Sequence, residues 1–404
     1  MENLPVPFDR RVWQEATTLQ KAGHQVSVIC PTGKNWEKRF EVIDGVAIYR
    51  HPLQVEGDSG WSYLAEYSMA LFWQFYLSLK VLFQRGFDVI QACNPPDLIF
   101  LVGSFYKLLM GKYFVFDHHD INPELYLAKF GRKDLFYRLL VWLERLTFKT
   151  ANLSIATNNS YREIAIKRGG MRPDRVTVVR SSPSLERMRI IPPAMEWKKG
   201  KAYLVGYLGV MGKQEGIDHL LEAARILIKE KKRDDIHFLL IGGGTELETL
   251  KAMSRRFDIE THVTFTGRIP DAPMIEALNS TDVCVNPDVA NEMNDKSTMN
   301  KIMEYMALAK PIVQYDLKEG RFSAGKASLY AQKNNIADLA AKIEYLLDHP
   351  DERKRMGELG RRRVLDELNW DIEAPKYLAV FQSLERSLYG FRSTVQTDNE
   401  HLSN

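Results

Sequence analysis

Cysteine is scarce: three residues in 404, Cys30, Cys93 and Cys284, each alone in an apolar stretch. That spacing excludes a disulfide framework or a cysteine-held zinc site and points to a reducing compartment. No uninterrupted apolar run reaches about 18 residues, so no transmembrane helix is expected. The first residues lack a charged-then-apolar signal pattern. Asp-x-Asp is absent, and the glycine-rich turns lack the Gly-x-Gly-x-x-Gly spacing of a dinucleotide fingerprint. Short repeats and low-complexity tracts are missing too.

What is present is an ordinary globular composition, 45% hydrophobic and 26% charged, with a net charge of +3. The charge is uneven: up to residue 190 about 25 Lys and Arg face 19 Asp and Glu, and the remainder is slightly acidic. A basic first half attracts phosphates or anionic lipid head groups. A solvated, mildly basic surface fits as well. No nucleic-acid partner is expected.

Short apolar runs alternate with longer amphipathic stretches. Strands are expected at 25–30, 88–93, 113–119, 153–157 and 176–180, with helices at 11–22, 63–84, 96–110, 134–150 and 159–169. A Pro-rich, charged linker follows at 180–202. The alternation then restarts, with strands at 203–209, 237–244, 263–267, 283–287 and 311–315. Helices are expected at 216–230, 245–257, 272–278, 299–308, 336–348 and 351–368. This is the βαβ pattern of two doubly wound α/β domains. The expected boundaries are 1–190, 191–370, and a C-terminal segment 371–404 that crosses back to the first domain and ends in a polar tail. Ligands in such sheets bind beyond the carboxyl ends of the strands.

The strongest stretch is "NPDVANEMNDKSTMNKIMEYMALAKPIVQYD" (286–316). A helix starting near Ser297 and Thr298 would be capped by a hydroxyl and offer an anion site, with Lys296 and Lys301 adding charge. Glu304 lies within about two turns of that start. An anion flanked by hydroxyls describes a nucleoside diphosphate, although a capped helix with a solvated glutamate gives the same pattern. Two glycine-rich turns, "LIGGGTELETL" (240–250) and "GYLGVMGKQEG" (206–216), could let backbone approach a phosphate or could simply pack closely.

In the first half, "FDHHDINPE" (116–124) places His118, His119 and Asp120 at a strand's carboxyl end. Adjacent residues rarely converge on one ion, so no metal is expected there. Hydrogen bonding to a sugar hydroxyl or phosphate, or a purely structural pair, are the readings left. The aromatic stretches 61–87, with Trp61, Trp73 and Lys80, and 130–149 fit core helices or a face resting on a membrane.

Taken together, "AGHQVSVICP" (22–31), "FDHHDINPE" (116–124), "ATNNSYREIAIKRGG" (156–170), "GYLGVMGKQEGIDHLLEA" (206–223), "FTGRIP" (265–270), "STMNKIMEYMALAKPIVQYD" (297–316) and "LNWD" (368–371) resemble the family-4 retaining glycosyltransferases of GT-B fold. The resemblance covers almost the whole chain. It implies two Rossmann-like domains facing each other across a cleft. It also implies transfer of a sugar from a nucleotide-sugar to a glycan or lipid-linked acceptor, with no cofactor or metal. Work in cell-surface polysaccharide synthesis is implied as well, in the cytoplasm or at the inner face of the membrane. A nucleotide-sugar epimerase and a non-catalytic or weakly active nucleotide-sugar binder are the alternatives.

Residue by residue, the resemblance puts the base near Gly267 to Ile269, with Arg268 and Ile269 as contacts. Glu304 matches the second carboxylate of a Glu-x7-Glu motif and would hold the ribose. His119 matches a histidine near the donor sugar and, with Lys213 and Lys296, forms the expected catalytic set. Gly209, Gly243, Asp295, Ser297, Thr298, Met299 and Lys301 complete the donor side. Arg10, Arg11 and Asp120 are expected on the acceptor side. The chain departs from the pattern at three points. Lys296 stands where the first carboxylate belongs, with Asp295 or Glu292 as substitutes. Tyr207 replaces an Arg. Glu215-Gly216 replaces Lys-Gly, leaving Lys213 two positions early.

The opening "MENLPVPFDRRVW" (1–13) occupies the place of the family's first loop, with Asp9 as the helix cap and Arg10 and Arg11 facing the cleft. Relatives carry a strand of about six apolar residues ahead of it. The expectation is that this strand lies upstream of Met1 and that the 404-residue chain is less stable than one extended to include it.

Overall fold

The computed structural model describes residues 4–52 and 60–401. Thirteen strands are assigned among them: β1 (Ser27–Pro31), β2 (Phe40–Ile43), β3 (Val46–His51), β4 (Val89–Cys93), β5 (Tyr113–His118), β6 (Leu153–Ala156), β7 (Val176–Val178), β8 (Tyr203–Leu208), β9 (Ile236–Ile241), β10 (Val263–Gly267), β11 (Val283–Asn286), β12 (Ile312–Tyr315) and β13 (Ser328–Ala331). The helices are α1 (Arg10–Lys21), α2 (Gly60–Gln84), α3 (Phe100–Met110), α4 (Asn122–Phe130), α5 (Leu135–Thr150), α6 (Asn159–Lys167), α7 (Ile217–Arg225), α8 (Leu247–Arg256), α9 (Asp271–Asn279), α10 (Glu292–Lys296), α11 (Asn300–Ala307), α12 (Lys318–Ala324), α13 (Ile336–Asp348), α14 (Pro350–Glu367) and α15 (Trp370–His401).

The chain divides into two compact units. The first comprises 1–127, 132–180 and 371–404; the second comprises 128–131 and 181–370. The division falls at residue 180, ten residues before the boundary expected from the linker's composition.

In the second unit one six-stranded sheet runs in the order β10-β9-β8-β11-β12-β13, every neighbour parallel. Numbered within the unit this is 3-2-1-4-5-6, the doubly wound order, and its switch point lies between β8 and β11. The strands read as continuous apolar runs because both faces are covered. All six residues of β9 are buried. Alternate residues serve opposite cores: Val205 and Phe238 pack on one face, Leu204 and Leu239 on the other.

The first unit holds two sheets. One is β1-β3-β2, with β1 and β3 parallel; the other is the parallel β4-β5-β6-β7. Helix α1 starts at Arg10 because the Asp9 carboxylate accepts from Val12 N at 3.0 Å, which satisfies one end-turn donor. Asp134 and Asn158 start α5 and α6 in the same way.

Candidate functional site

The switch point puts the carboxyl ends of β8 and β11 side by side, and the side chains there form a charged cluster. Lys301, on the first turn of α11, reaches Glu215 Oε2 at 2.7 Å and Asp288 Oδ1 at 2.9 Å. Its Nζ also lies 4.9 Å from the centre of the Tyr207 ring. Tyr207 donates to Val210 O at 2.8 Å. Asp288 is fully buried, and burial pushes its carboxyl up to about 7 against the pull of Lys301. Burial works against the Lys301 charge, but Asp288, Tyr207 and Glu215 together hold its amine well above the usual range. The expected phosphate cation Lys301 is therefore already neutralised by two carboxylates. Asp288 and the pairing of Glu215 were missed from the sequence, because a strand-end Asp in "NPD" gives no hint of which lysine it meets.

The other donor-side residues are arranged as follows. Helix α11 begins at Asn300, and its cap is Met299 with no side-chain hydrogen bond, so Ser297 and Thr298 do not cap it. The Ser297 hydroxyl instead donates to Met293 O at 2.8 Å, closing the short helix α10 that sequence periodicity did not show. Lys296 pairs with Glu292 at 2.6 Å. Asp295 accepts from Lys333 Nζ at 3.0 Å and from Lys318 N at 3.1 Å, so it belongs to a contact with the next loops. Glu304 receives Arg187 Nη1 at 3.0 Å, while the same guanidinium grips Asp271 at 2.7 Å. Arg187, in the stretch read as linker, was not foreseen. Lys213 is exposed on a tight 3-10 turn, Lys213–Glu215, and Arg268 is exposed beyond β10, with Ile269 half-buried beside it.

The two glycine-rich turns pack on each other. Met211 N donates to Gly243 O at 3.1 Å and Glu246 N to Met211 O at 3.0 Å. Gly242 has φ +137, and a Cβ there would overlap the Gly209 carbonyl oxygen. Close backbone packing thus accounts for the glycine at 242, whereas a Cβ at Gly209 would meet the Tyr207 hydroxyl at 2.6 Å. Gly243 is different: a Cβ would meet only Arg268 Cγ, at 3.6 Å, so its outer face is open.

In the first unit the carboxyl end of β5 carries a second cluster. Asp117, fully buried, accepts from Arg11 Nη2 at 2.9 Å, and its other oxygen lies 2.6 Å from His119 Nε2. Burial opposes the Asp117 charge, but Arg11 and His119 outweigh it and hold the carboxyl below the usual range. Burial likewise opposes a charged His119, and Asp117 overcomes it, so its pKa is raised well above the usual imidazole range; Arg11 Nε lies 3.0 Å from the same Nε2. Arg11 also pairs with Glu15 at 3.1 Å. Glu15, Asp117 and His119 would suit a cation, but the Arg11 guanidinium already supplies the positive charge among them. Arg11, expected to face the cleft, is engaged by Glu15, Asp117 and His119 within the first unit. Arg10 and Asp120 are exposed. Asn94 Oδ1 accepts from His119 N at 3.0 Å and Asp120 N at 3.2 Å, which fixes the turn presenting His119. His118 points the other way, fully buried among Phe116, Phe148 and Tyr161. Burial depresses its pKa to about 3.

The parallel α/β units define a GT-B fold, and solved glycosyltransferases share it. A sucrose-phosphate synthase from Thermosynechococcus elongatus superposes with a TM-score of 0.76 at 17% identity, covering 93% of both chains. Anabaena HepE in complex with UDP-glucose gives 0.69 at 14% identity, covering 95% of this chain and 98% of that one. Residues 9–186 match glycosyltransferase family 4 and residues 202–349 match glycosyl transferases group 1. The chain is a family-4, group 1 glycosyltransferase of hexosyltransferase type. Its relatives include the alpha-maltose-1-phosphate synthase of Mycolicibacterium smegmatis, 23% identical over 70% of this chain and 76% of that protein. Another is the capsular polysaccharide biosynthesis glycosyltransferase CapM of Staphylococcus aureus, 23% identical over 59% and 64%.

Proposed function

We propose that the chain transfers a hexosyl group from a nucleoside diphosphate sugar to a glycan or lipid-linked acceptor with retention at the anomeric carbon, in cell-surface polysaccharide synthesis. The observation that carries the reading is the placement of Glu304. It lies on the second turn of α11, beside the β8–β11 switch point of the second unit, where a ribose could exchange for Arg187. Relatives that work on capsular polysaccharide or bind UDP-glucose support the substrate class. The absence of Asp-x-Asp supports a route in which protein groups, and no dedicated metal site, meet the leaving diphosphate.

The chemistry asked of the chain is modest. As the glycosidic bond to the diphosphate breaks, negative charge grows on the phosphate and positive charge on the sugar ring. Preorganised donors aimed at the phosphate lower that barrier most directly. Lys213, exposed and without an ion pair among the described residues, is the cation best suited, and the positive end of α11 would add to it. Lys296 would have to leave Glu292. Losing one such donor costs roughly 3–4 kcal/mol in the transition state, or a hundred- to a thousand-fold in rate. The test is release of nucleoside diphosphate from a panel of nucleotide sugars, UDP-glucose first, by wild type, Lys213→Ala and Lys296→Ala. Wild-type turnover in both variants would remove these residues from the mechanism. A second reading, a weakly active nucleotide-sugar binder, is favoured by one observation: Lys301 is neutralised by Asp288 and Glu215. Donor binding without turnover across the panel would establish it.

The acceptor side is proposed to meet an anionic membrane. No helix among the described residues is long and apolar enough to cross one. Helices α3 and α5, which pack together, leave Leu108 (79%), Leu109 (72%), Leu135 (82%) and Trp142 (55%) exposed. Lys107, Lys112, Lys133 and Lys149 lie on or next to these helices. Apolar tips ringed by lysines suit an interfacial contact.

A further inference from the structure

Strand β2 ends the sheet β1-β3-β2, and among the described residues it ladders with β3 alone. Its register fixes which groups face outward. The two-residue turn Asp44-Gly45, with φ +48 and +80, joins β2 to β3 and sets Phe40 opposite Tyr49, Glu41 opposite Ile48 and Val42 opposite Ala47. Arg50 N donates to Arg39 O at 2.8 Å, so 39 and 50 form a hydrogen-bonded pair. Such pairs alternate along an antiparallel ladder. The N–H and C=O groups of Phe40 and Val42 therefore point away from β3. Their side chains are exposed too, at 48% and 55%. An edge of this kind is a template for another strand. Opposite charges stand at its two ends: Lys38 before it and Asp44 after it, both exposed and without an ion pair among the described residues.

The strand that fits this edge is a second copy of itself. A two-fold axis perpendicular to the sheet runs the two β2 strands antiparallel and keeps each side chain on its own face. With the axis at Phe40, Lys38 would lie against the partner's Val42. With the axis at Val42, Phe40 would lie against the partner's Asp44. With the axis at Glu41, Phe40 meets the partner's Val42 on both sides, and Lys38 comes to the partner's Asp44 at both ends. The Glu41 carboxylates then face each other, each already held by Arg50 of its own chain. Helix α2 covers the same face of the sheet: Lys80 Nζ lies 5.9 Å from the centre of the Tyr49 ring, which meets the Phe40 ring at 4.9 Å. Tyr76 and Phe83, four residues before and three after Lys80, are exposed at 50% and 82%. They lie on the flank opposite Phe75, Leu79 and Leu82, which pack towards α3. In a shared sheet the two β3 strands would stand three strand spacings apart, about 14 Å. Helices in contact are about 8–10 Å apart, so large side chains are needed between the two α2 helices. Tyr76 and Phe83 supply them.

We propose that the β2 edge is a self-association surface: two copies of the chain pair antiparallel through Phe40 and Val42 about an axis at Glu41, and the aromatic side chains of α2 close over the joined sheet. Each Phe40–Val42 pair exchanges both of its N–H···O bonds. Lys38 and Asp44 select this register over its neighbours. The edge is short, so the dimer is a weak one that forms with rising concentration. Nothing in it depends on the transferase reading.

Sedimentation velocity of the full chain between about 1 and 200 µM measures the association. Wild type is expected to pass from monomer towards dimer over that range, with amide exchange at Phe40 and Val42 slowing several-fold as it does. Val42→Asp sets a charge against the partner's Phe40 and leaves the chain's own core untouched. It should raise the dissociation constant roughly ten-fold or more, because the two-fold axis repeats the change, at an unchanged melting temperature. Glu41→Cys reads the register. At the axis the two Cα atoms of a non-hydrogen-bonded pair stand about 4.5 Å apart, within disulfide reach. Mild oxidation should therefore cross-link Glu41→Cys and spare Phe40→Cys and Val42→Cys. Should loss of Glu41 beside Arg50 disturb the fold, Val42→Asp still decides the question. A chain that stays monomeric throughout, or cross-links at 40 or 42 in preference to 41, overturns the proposal. So does self-association that Val42→Asp does not weaken and that leaves exchange at β2 unchanged, which would assign the contact to another face.

Discussion

Replacing Lys301 by Met removes the only cation within 3 Å of Asp288 and Glu215 among the described residues and leaves two carboxylates facing each other at the end of β11. Breaking a buried pair by removing one partner costs about 3–5 kcal/mol, because the remaining charge is stranded. The figure belongs at the lower end here, since Asp288 can escape by taking a proton. Its carboxyl already stands near 7 with Lys301 present, and without the ammonium it rises further. The sign follows: a carboxyl raised in the folded state contributes stability at low pH that is lost as pH rises. The variant should therefore be destabilised most at pH 8 and recover towards pH 6, by up to about 1.4 kcal/mol per pH unit. Urea unfolding at pH 6, 7 and 8 measures this directly. Glu215→Gln in the Lys301→Met background should restore most of the loss. A loss below about 1 kcal/mol, or one independent of pH, would refute the ion-pair account. If Lys301 instead steadied a diphosphate, stability would hold while KM for the donor rose.

Other outcomes follow from the same geometry. Arg187→Ala removes the guanidinium from Glu304 and Asp271; if the ribose displaces Arg187, donor KM falls, and a KM that rises several-fold instead makes Arg187 a donor contact. His118 has a folded pKa near 3 against about 6.5 unfolded, so the stability it contributes is present above about 6.5 and lost as pH falls towards 3. At pH 5 that term is worth about 2 kcal/mol, and His118→Phe should lose correspondingly less stability than wild type between pH 7 and 5 in chemical denaturation. Leu108→Asp with Leu135→Glu should abolish co-sedimentation with anionic vesicles at low salt; wild-type protein that fails to bind such vesicles ends the membrane reading.

Much of the fold was legible because parallel strands buried on both faces leave long apolar runs. β8, β9, β10, β11 and β12 sit within a few residues of their expected positions, and α13 matches its expected span. What escaped was short or mixed. β2 is exposed at Phe40 and Val42 and pairs antiparallel with β3, so neither carried the expected pattern. β13 is only four residues, Ser-Leu-Tyr-Ala, and α10 is a single turn held by Asn291. The start of α11 was misread because "ST" looked like a cap; the Ser297 hydroxyl was taken by α10, and the chain turned at Met299 instead.

The site was less legible than the fold for a definite reason. A lysine three residues into a helix reads as positive charge offered to a ligand, and the sequence does not show what faces it. Here the position where the resemblance called for a cation holds Glu215, and the strand end supplies Asp288. Lys301 is consequently held between them with Tyr207 beneath. With one ammonium set between two carboxyl groups, one of them pushed up by burial, the cluster offers no net positive charge. Any anion at the switch point must then draw on Lys213, on the start of α11, or on a proton taken up at Asp288. The last makes the pH dependence of donor KM informative. Tighter donor binding below pH 7 that disappears in Asp288→Asn would show that the carboxyl proton, and no further lysine, makes the phosphate site hospitable. A flat profile in both would leave Lys213 and the helix end as the groups that meet the diphosphate.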